Sequence, residues 1–137
     1  MKFHSRMKLM NEGEIRVLLV EDNQFAQMAA KIVLTKICDI VDCALTKEEA
    51  IKHVMSNKYD IIFMDISLGV PDIDGFIVAK EIKEKSKINC VTPIIALTAH
   101  SGTEFKEKSI EIGMCDFVVK PLTKKSVLEV FDKCVRK

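Results

Sequence analysis

The chain has 137 residues, with 21 Lys and Arg against 20 Asp and Glu and a formal net charge of +1. So even a balance argues against nucleic acid or an anionic membrane as the main partner, because both select a surplus of positive charge. Hydrophobic residues at 48% and charged residues at 30% fit one globular domain whose core needs no staple.

The cysteines, Cys38, Cys43, Cys90, Cys115 and Cys134, are odd in number and contain no CxxC pair. The expectation is free thiols in a reducing cytoplasm, with neither a disulfide framework nor a zinc site. His4, His53 and His100 do not stand at metal-ligand spacing with them. No apolar run approaches the ~18 residues of a membrane helix. Met1 to Glu14 is polar and lightly basic and lacks the apolar centre of a signal peptide. Residues 1–14 read as a tail or linker and 15–137 as one domain.

Ile15 to Val20 (IRVLLV) is short and almost wholly apolar, the pattern of a strand buried on both faces of a parallel sheet. Gln24 to Ile37 is a predicted helix with Phe25, Met28, Ile32 and Leu34 near one face. Ile40 to Cys43 is a further, less apolar strand. Thr46 and Glu49 make a predicted capping box that opens a helix to about Met55. Tyr59 to Met64 (YDIIFM) is the next strand, and Gly75 to Lys85 the next helix, with Phe76, Ala79 and Ile82 at helical spacing. Pro93 to Thr98 (PIIALT) is a strand. Ser101 and Glu104 make another predicted capping box, and Gly113 stands where a left-handed helix stop is wanted. Phe117 to Val119 is the last strand, and Lys124 to about Val135 the last helix, with Val127, Phe131 and Cys134 on one stripe.

Strand and helix thus alternate five times. Parallel strands need right-handed crossovers, which lay helices on both faces. The expected fold is α/β, a doubly wound five-stranded parallel sheet in the order 2-1-3-4-5. Ligands of such sheets gather beyond the carboxyl ends of the strands. That edge holds Glu21 and Asp22 after strand 1, Asp65 after strand 3, Thr98 at the end of strand 4, and Lys120 after strand 5. Strands 1 and 3 are expected to be central neighbours, so the three carboxylates converge. Carboxylates that close repel one another and raise one another's pKa unless a counter-charge is present. Hard oxygen ligands at a partly open site suit Mg2+. Lys120 adds a second positive charge. A carboxylate oxygen in that setting can attack phosphorus to give an aspartyl phosphate. The metal and the lysine would offset charge on the transferring oxygens, and the Thr98 hydroxyl could donate to one of them.

Each group alone has a plainer reading. An acidic pair after a strand is often a solvated turn or favours a helix N-terminus. A single strand-end threonine usually satisfies backbone, and a single lysine is usually solvated. The functional reading rests on finding all of them at one edge of one sheet.

The segments VLLVEDN (Val17 to Asn23), DIIFMDISL (Asp60 to Leu68), PDIDGF (Pro71 to Phe76), PIIALTAH (Pro93 to His100) and DFVVKP (Asp116 to Pro121) resemble the receiver domains of two-component signalling. The resemblance covers nearly the whole chain and implies a flavodoxin-like (βα)5 fold. It implies Asp65 as phosphoacceptor and Asp22 as a direct Mg2+ ligand, with Glu21 acting nearby or through water. Ser67 would offer its backbone carbonyl to the metal. Thr98 matches the switch hydroxyl, Phe117 the switch aromatic and Lys120 the phosphate-binding lysine. The Lys120–Pro121 bond is expected to be cis. The implied donor is a phosphohistidine on a histidine kinase or histidine phosphotransfer domain. The implied output is a protein partner docking on the face of helix 4, strand 5 and helix 5. Such a chain phosphorylates itself and is not a turnover enzyme; transferase activity would need a histidine kinase in the same parent chain. The strings MDISL and LTAH look like receivers attached to hybrid histidine kinases, and His100 would sit at the pocket rim.

One departure from the family pattern is the loop after the acceptor, where Gly69 and Val70 stand as extra residues before Pro71. Three rival readings have discriminating features. An aspartate-nucleophile phosphatase wants a second aspartate where Ser67 stands. A nucleotide-binding flavodoxin-like protein wants a Gly- or Ser/Thr-rich loop after strand 1, where this chain has Glu21, Asp22 and Asn23. A receiver-like module that has lost phosphorylation remains open because of the long loop.

Overall fold

Strands that are apolar throughout must bury both faces, so their alternate side chains enter two separate cores. The computed structural model describes residues 14–66, 74–99 and 103–135. Five strands, β1 (Arg16–Val20), β2 (Ile40–Ala44), β3 (Ile61–Asp65), β4 (Ile94–Thr98) and β5 (Asp116–Val119), alternate with five helices. The helices are α1 (Gln24–Thr35), α2 (Lys47–Ser56), α3 (Asp74–Lys85), α4 (Thr103–Ile112) and α5 (Lys124–Cys134). All neighbours pair in parallel. The order is β2-β1-β3-β4-β5, the doubly wound topology expected.

The period of two along each strand divides the core. Leu18, Val20, Ile62, Met64, Ile94 and Ala96 pack with Val54 of α2 and Phe76, Ala79 and Ile82 of α3. Val17, Leu19, Ile61, Phe63, Ile95 and Leu97 pack with Leu34 of α1 and Val127, Val130 and Phe131 of α5. Each large side chain buried this fully contributes about 1.5–3 kcal/mol.

Two local expectations are changed. On α1, Phe25, Met28 and Ile32 are 81%, 60% and 58% exposed, and the helix seats on the sheet through Ala30, Val33 and Leu34, with Ile37 just beyond it. Those four positions are the true i, i+3, i+4, i+7 set. At α2 the Thr46 hydroxyl accepts from the Glu49 N–H at 3.1 Å, but the Glu49 carboxylate accepts from Leu45, one residue before the reciprocal position. A complete capping box forms instead at α5, between Thr123 and Ser126. Gly113 ends α4 with φ of 94°, as expected. The Ser101–Glu104 box lies outside the described residues.

The free-thiol expectation is corrected for one pair. Cys115 and Cys134 form a disulfide across a sequence separation of 19, with Cα atoms 6.3 Å apart. The reason is topological: α5 returns antiparallel to β5, so the end of the helix lies beside the start of the strand. Cys38, Cys43 and Cys90 are free.

Candidate functional site

Register brings the chemistry to one edge. Val20 pairs with Met64 across β1 and β3, so the next residues, Glu21 and Asp65, leave the sheet together. Asp65 is the last residue of β3 and pairs with Leu97. Thr98 ends β4 opposite Val119, and its carbonyl accepts from the Lys120 N–H at 2.8 Å. The Lys120–Pro121 bond is cis.

The turn after β1 sorts its two carboxylates. The Glu21 N–H donates to the Ala44 carbonyl at 3.0 Å, continuing the β1–β2 ladder. The Gln27 amide donates to the carbonyls of Glu21 and Ala44 at 3.2 and 3.1 Å. Asn23 caps α1 by accepting from the Ala26 N–H, while its own N–H donates to Glu21 Oε2 at 3.2 Å. Glu21 therefore points inward and is buried, whereas Asp22 stays exposed. Oxygens of Glu21, Asp22 and Asp65 all lie within 4.8 Å of one another. Lys120 Nζ is 2.6 Å from Glu21 Oε1 and 3.2 Å from Asp65 Oδ2.

Two of the three carboxylates, Glu21 and Asp65, share the Lys120 ammonium. Burial, followed by the hydrogen bond with Asp65, pushes the Glu21 carboxyl up from 4.5 to about 7, against the pull of Lys120. Burial works against the Lys120 charge as well, but the Glu21 hydrogen bond and the Asp65 carboxylate outweigh it and hold the ammonium above the ordinary lysine value. The donor set is hard oxygen, it carries surplus negative charge, and the exposed Asp22 leaves room for water ligands. Those properties fit Mg2+.

The remaining sequence-derived residues fall around this cluster. Thr98 is buried at the same edge. Phe117 is half-buried on β5 and packs on the core under α2, α3 and α4. Ser67 and His100 lie outside the described residues. An apolar recess of about 120 Å³ adjoins Glu21 and Lys120, lined by Ala26, Ala29, Ala30, Leu97, Pro121 and Leu122. Two positioning residues escaped the sequence reading. Gln27 clamps the backbone of Glu21; its only signal is a polar residue one turn into α1. Gly75 packs directly on the backbone of Asp65 and Ile66; its signal is the Asp-Gly pair after the loop.

The family model described as response regulator receiver domain matches residues 17–132. This chain belongs to that family. It is a receiver domain of two-component signalling. Among its relatives is the hybrid signal transduction histidine kinase L of Dictyostelium discoideum, 34% identical over an alignment of 125 residues that covers 86% of this chain and 7% of that protein. Another is the aerobic respiration control sensor protein ArcB of Escherichia coli, 33% identical over 109 residues, 80% of this chain and 14% of that protein. The receiver domain thus spans a small part of these relatives. A receiver domain of a Pseudomonas aeruginosa sensor histidine kinase, whose structure carries a magnesium ion in the active site cleft, has a TM-score of 0.76 at 25% identity, covering 91% of this chain and 100% of that one. The chemotaxis protein CheY4 of Vibrio cholerae shares the fold, with a TM-score of 0.78 over 89% of this chain and 99% of that one at 24% identity.

Proposed function

We propose that this receiver domain accepts a phosphoryl group on Asp65 from a phosphohistidine. The observation that carries the reading is the convergence of Glu21, Asp22 and Asp65 within 4.8 Å, with Lys120 3.2 Å from Asp65. An Asp65 oxygen attacks phosphorus, the bond from phosphorus to the donor imidazole nitrogen breaks, and the imidazole keeps the electron pair. Lys120 places fixed positive charge where the incoming phosphoryl oxygens gather. Thr98 offers its hydroxyl to one of those oxygens, and Phe117 turns inward as the β4–β5 edge adjusts. Glu21, Asp22 and Asp65 would hold Mg2+, and the Ser67 backbone carbonyl would be a further ligand. When bound, Mg2+ neutralises charge on the transferring oxygens. The magnesium ion in the Pseudomonas receiver domain supports that assignment. Water attack at phosphorus later releases phosphate and restores the Asp65 carboxylate. The domain acts as a switch and not as a turnover enzyme, biasing two conformations through one local change of charge.

The donor is a histidine kinase or a histidine phosphotransfer domain. Similarity to segments of hybrid kinases supports a cytoplasmic setting, with residues 1–14 as a linker and 15–137 as the receiver. The downstream partner is a protein on the α4–β5–α5 face; neither nucleic acid nor direct membrane contact is involved. Supporting a protein donor is the exposed stripe of Phe25, Met28 and Ile32 on α1, which starts two residues after Asp22. Apolar surface of this kind marks protein contacts. Met28→Glu is expected to slow transfer from a phosphorylated phosphotransfer domain by about tenfold or more, roughly 1.4 kcal/mol. Its uptake from acetyl phosphate should not change; an equal loss from both donors would remove the stripe from docking.

The test of the proposal is incubation with acetyl phosphate and Mg2+ followed by intact mass, with one phosphate expected and chelator blocking it. Steady hydrolysis of a generic phosphate ester would favour the phosphatase, and no uptake at all would favour the unphosphorylated interaction module.

The Glu21 proton gives a pH signature. The folded state holds it up to about pH 7, whereas an ordinary carboxyl releases it near 4.5. Without metal, this group's contribution to stability is therefore present below the lower value and lost as pH rises through the higher one. Mg2+ must displace that proton, so its affinity should rise with pH over the same window, by up to about tenfold per unit. Calorimetric Mg2+ titrations at about pH 5.5 and about pH 8 check this. Equal affinity at both would mean that Glu21 is not a ligand.

A further inference from the structure

The β5–α5 unit carries chemistry that the acceptor site does not use. Cys115 is exposed immediately before β5, and Cys134 is the half-buried last residue of α5. Their disulfide joins Cα atoms 6.3 Å apart. The adjacent residues, Lys133 and Asp116, form an ion pair at 3.2 Å, so the two segments are clasped at successive positions. Cys134 also packs on the core beneath α5. Beside the clasp, an open groove of about 640 Å³ runs between β5 and α5, lined in part by Phe117, Val119, Glu129 and Lys133. The other cysteines have no such arrangement. Cys38 is buried, and burial pushes its thiol far up. Cys43 is half-buried and also raised, chiefly by burial. Cys90 is exposed and hydrogen-bonds the Lys87 carbonyl.

We propose that Cys115 and Cys134 form a reversible thiol–disulfide site that locks the end of α5 onto the start of β5. The exposed sulfur is the entry point. In the reduced chain, the Cys115 thiolate attacks a low-molecular-weight disulfide such as oxidised glutathione and releases one glutathione thiol. The Cys134 thiolate then attacks the protein-bound sulfur of the mixed disulfide and releases the second. In total, two protein thiols and one glutathione disulfide become one protein disulfide and two glutathione thiols. Excess dithiol runs the exchange backwards through Cys115. Oxidation ties the two walls of the groove together at one end; reduction removes that covalent tie and leaves the Lys133–Asp116 pair and the packing of Cys134 on the core.

The test equilibrates the full chain in graded mixtures of reduced and oxidised glutathione, alkylates the remaining thiols, and reads intact mass, peptide map and melting temperature. The expected result is loss of two alkylatable thiols in one step, mapped to Cys115 and Cys134. Melting should rise by about 10 °C and return with dithiothreitol. Cys115→Ser and Cys134→Ser should each lose both the step and the rise, and Cys90→Ser should keep both. The proposal is overturned if both thiols alkylate at every ratio, if a glutathione adduct on Cys115 persists unresolved, or if the rise survives in Cys115→Ser. Should a serine variant fail to fold, the peptide map of the parent chain still decides. None of these readouts depends on phosphorylation of Asp65.

Discussion

Asp65→Asn, incubated with acetyl phosphate and Mg2+, should keep its unmodified mass while the parent chain gains one phosphate. The amide is a far weaker nucleophile than a carboxylate, and among the described residues no other carboxylate at this edge lies in the same relation to Lys120. Glu21 is closer to the ammonium, at 2.6 Å, but it is buried and its other oxygen is tied to the Asn23 N–H. Asp22 is exposed, with an oxygen within 4.8 Å of oxygens of Glu21 and Asp65. The substitution should not unfold the domain. Asp65 raises the Glu21 carboxyl, first through its hydrogen bond and then through its charge. Removing that charge relieves repulsion, so metal-free stability at about pH 8 should be equal or higher, by on the order of 1 kcal/mol. A melting curve beside the mass spectrum separates the two effects. A phosphate that persists in Asp65→Asn would falsify the assignment of the acceptor.

Gly75→Ala should be the most destabilising single methyl in the site region. A Cβ at this position would collide with the Asp65 carbonyl oxygen and the Ile66 Cα, and would lie 2.9 Å from the Asp65 carbonyl carbon. All three are backbone atoms at the end of a central strand, so no side chain can swing aside. Overpacking of a core usually costs about 1–3 kcal/mol. Here the cost should reach or exceed the top of that range, because the obstacle is the sheet itself. Urea unfolding would measure it. The same shift would displace Asp65, so acetyl phosphate uptake should slow even in the folded fraction. Gly113→Ala is the comparison: its φ of +94° is strained for a side chain, but the nearest atom to its Cβ is the flexible Lys83 Cε at 3.4 Å. That variant should lose only about 1–2 kcal/mol and leave uptake unchanged. Near-equal losses from the two would show that α3 can retreat from β3.

The features read correctly from the chain share a physical character. β1, β3 and β4 are apolar along their middles because both of their faces are covered, and the polar residues Arg16, Asp65 and Thr98 stand only at their ends. One strand direction then sends Glu21, Asp65, Thr98 and Lys120 to the same edge without any knowledge of contacts. The helix ends written in local residues, such as the stop at Gly113, were legible for the same reason. On α1, of the residues expected near one face, Leu34 is buried whereas Phe25, Met28 and Ile32 face outward. The face that docks is Ala30, Val33 and Leu34.

Sequence alone determined the order of elements, the parallel sheet, and the acidic edge with its lysine, because those follow from local periodicity and a single chain direction. Tertiary structure decided which carboxylate is buried, which two Lys120 holds, and which two of the five cysteines meet. It also decided that Gly75 must lack a side chain. Each of these depends on how segments distant in sequence are registered to within an ångström, and residue types carry no record of that distance.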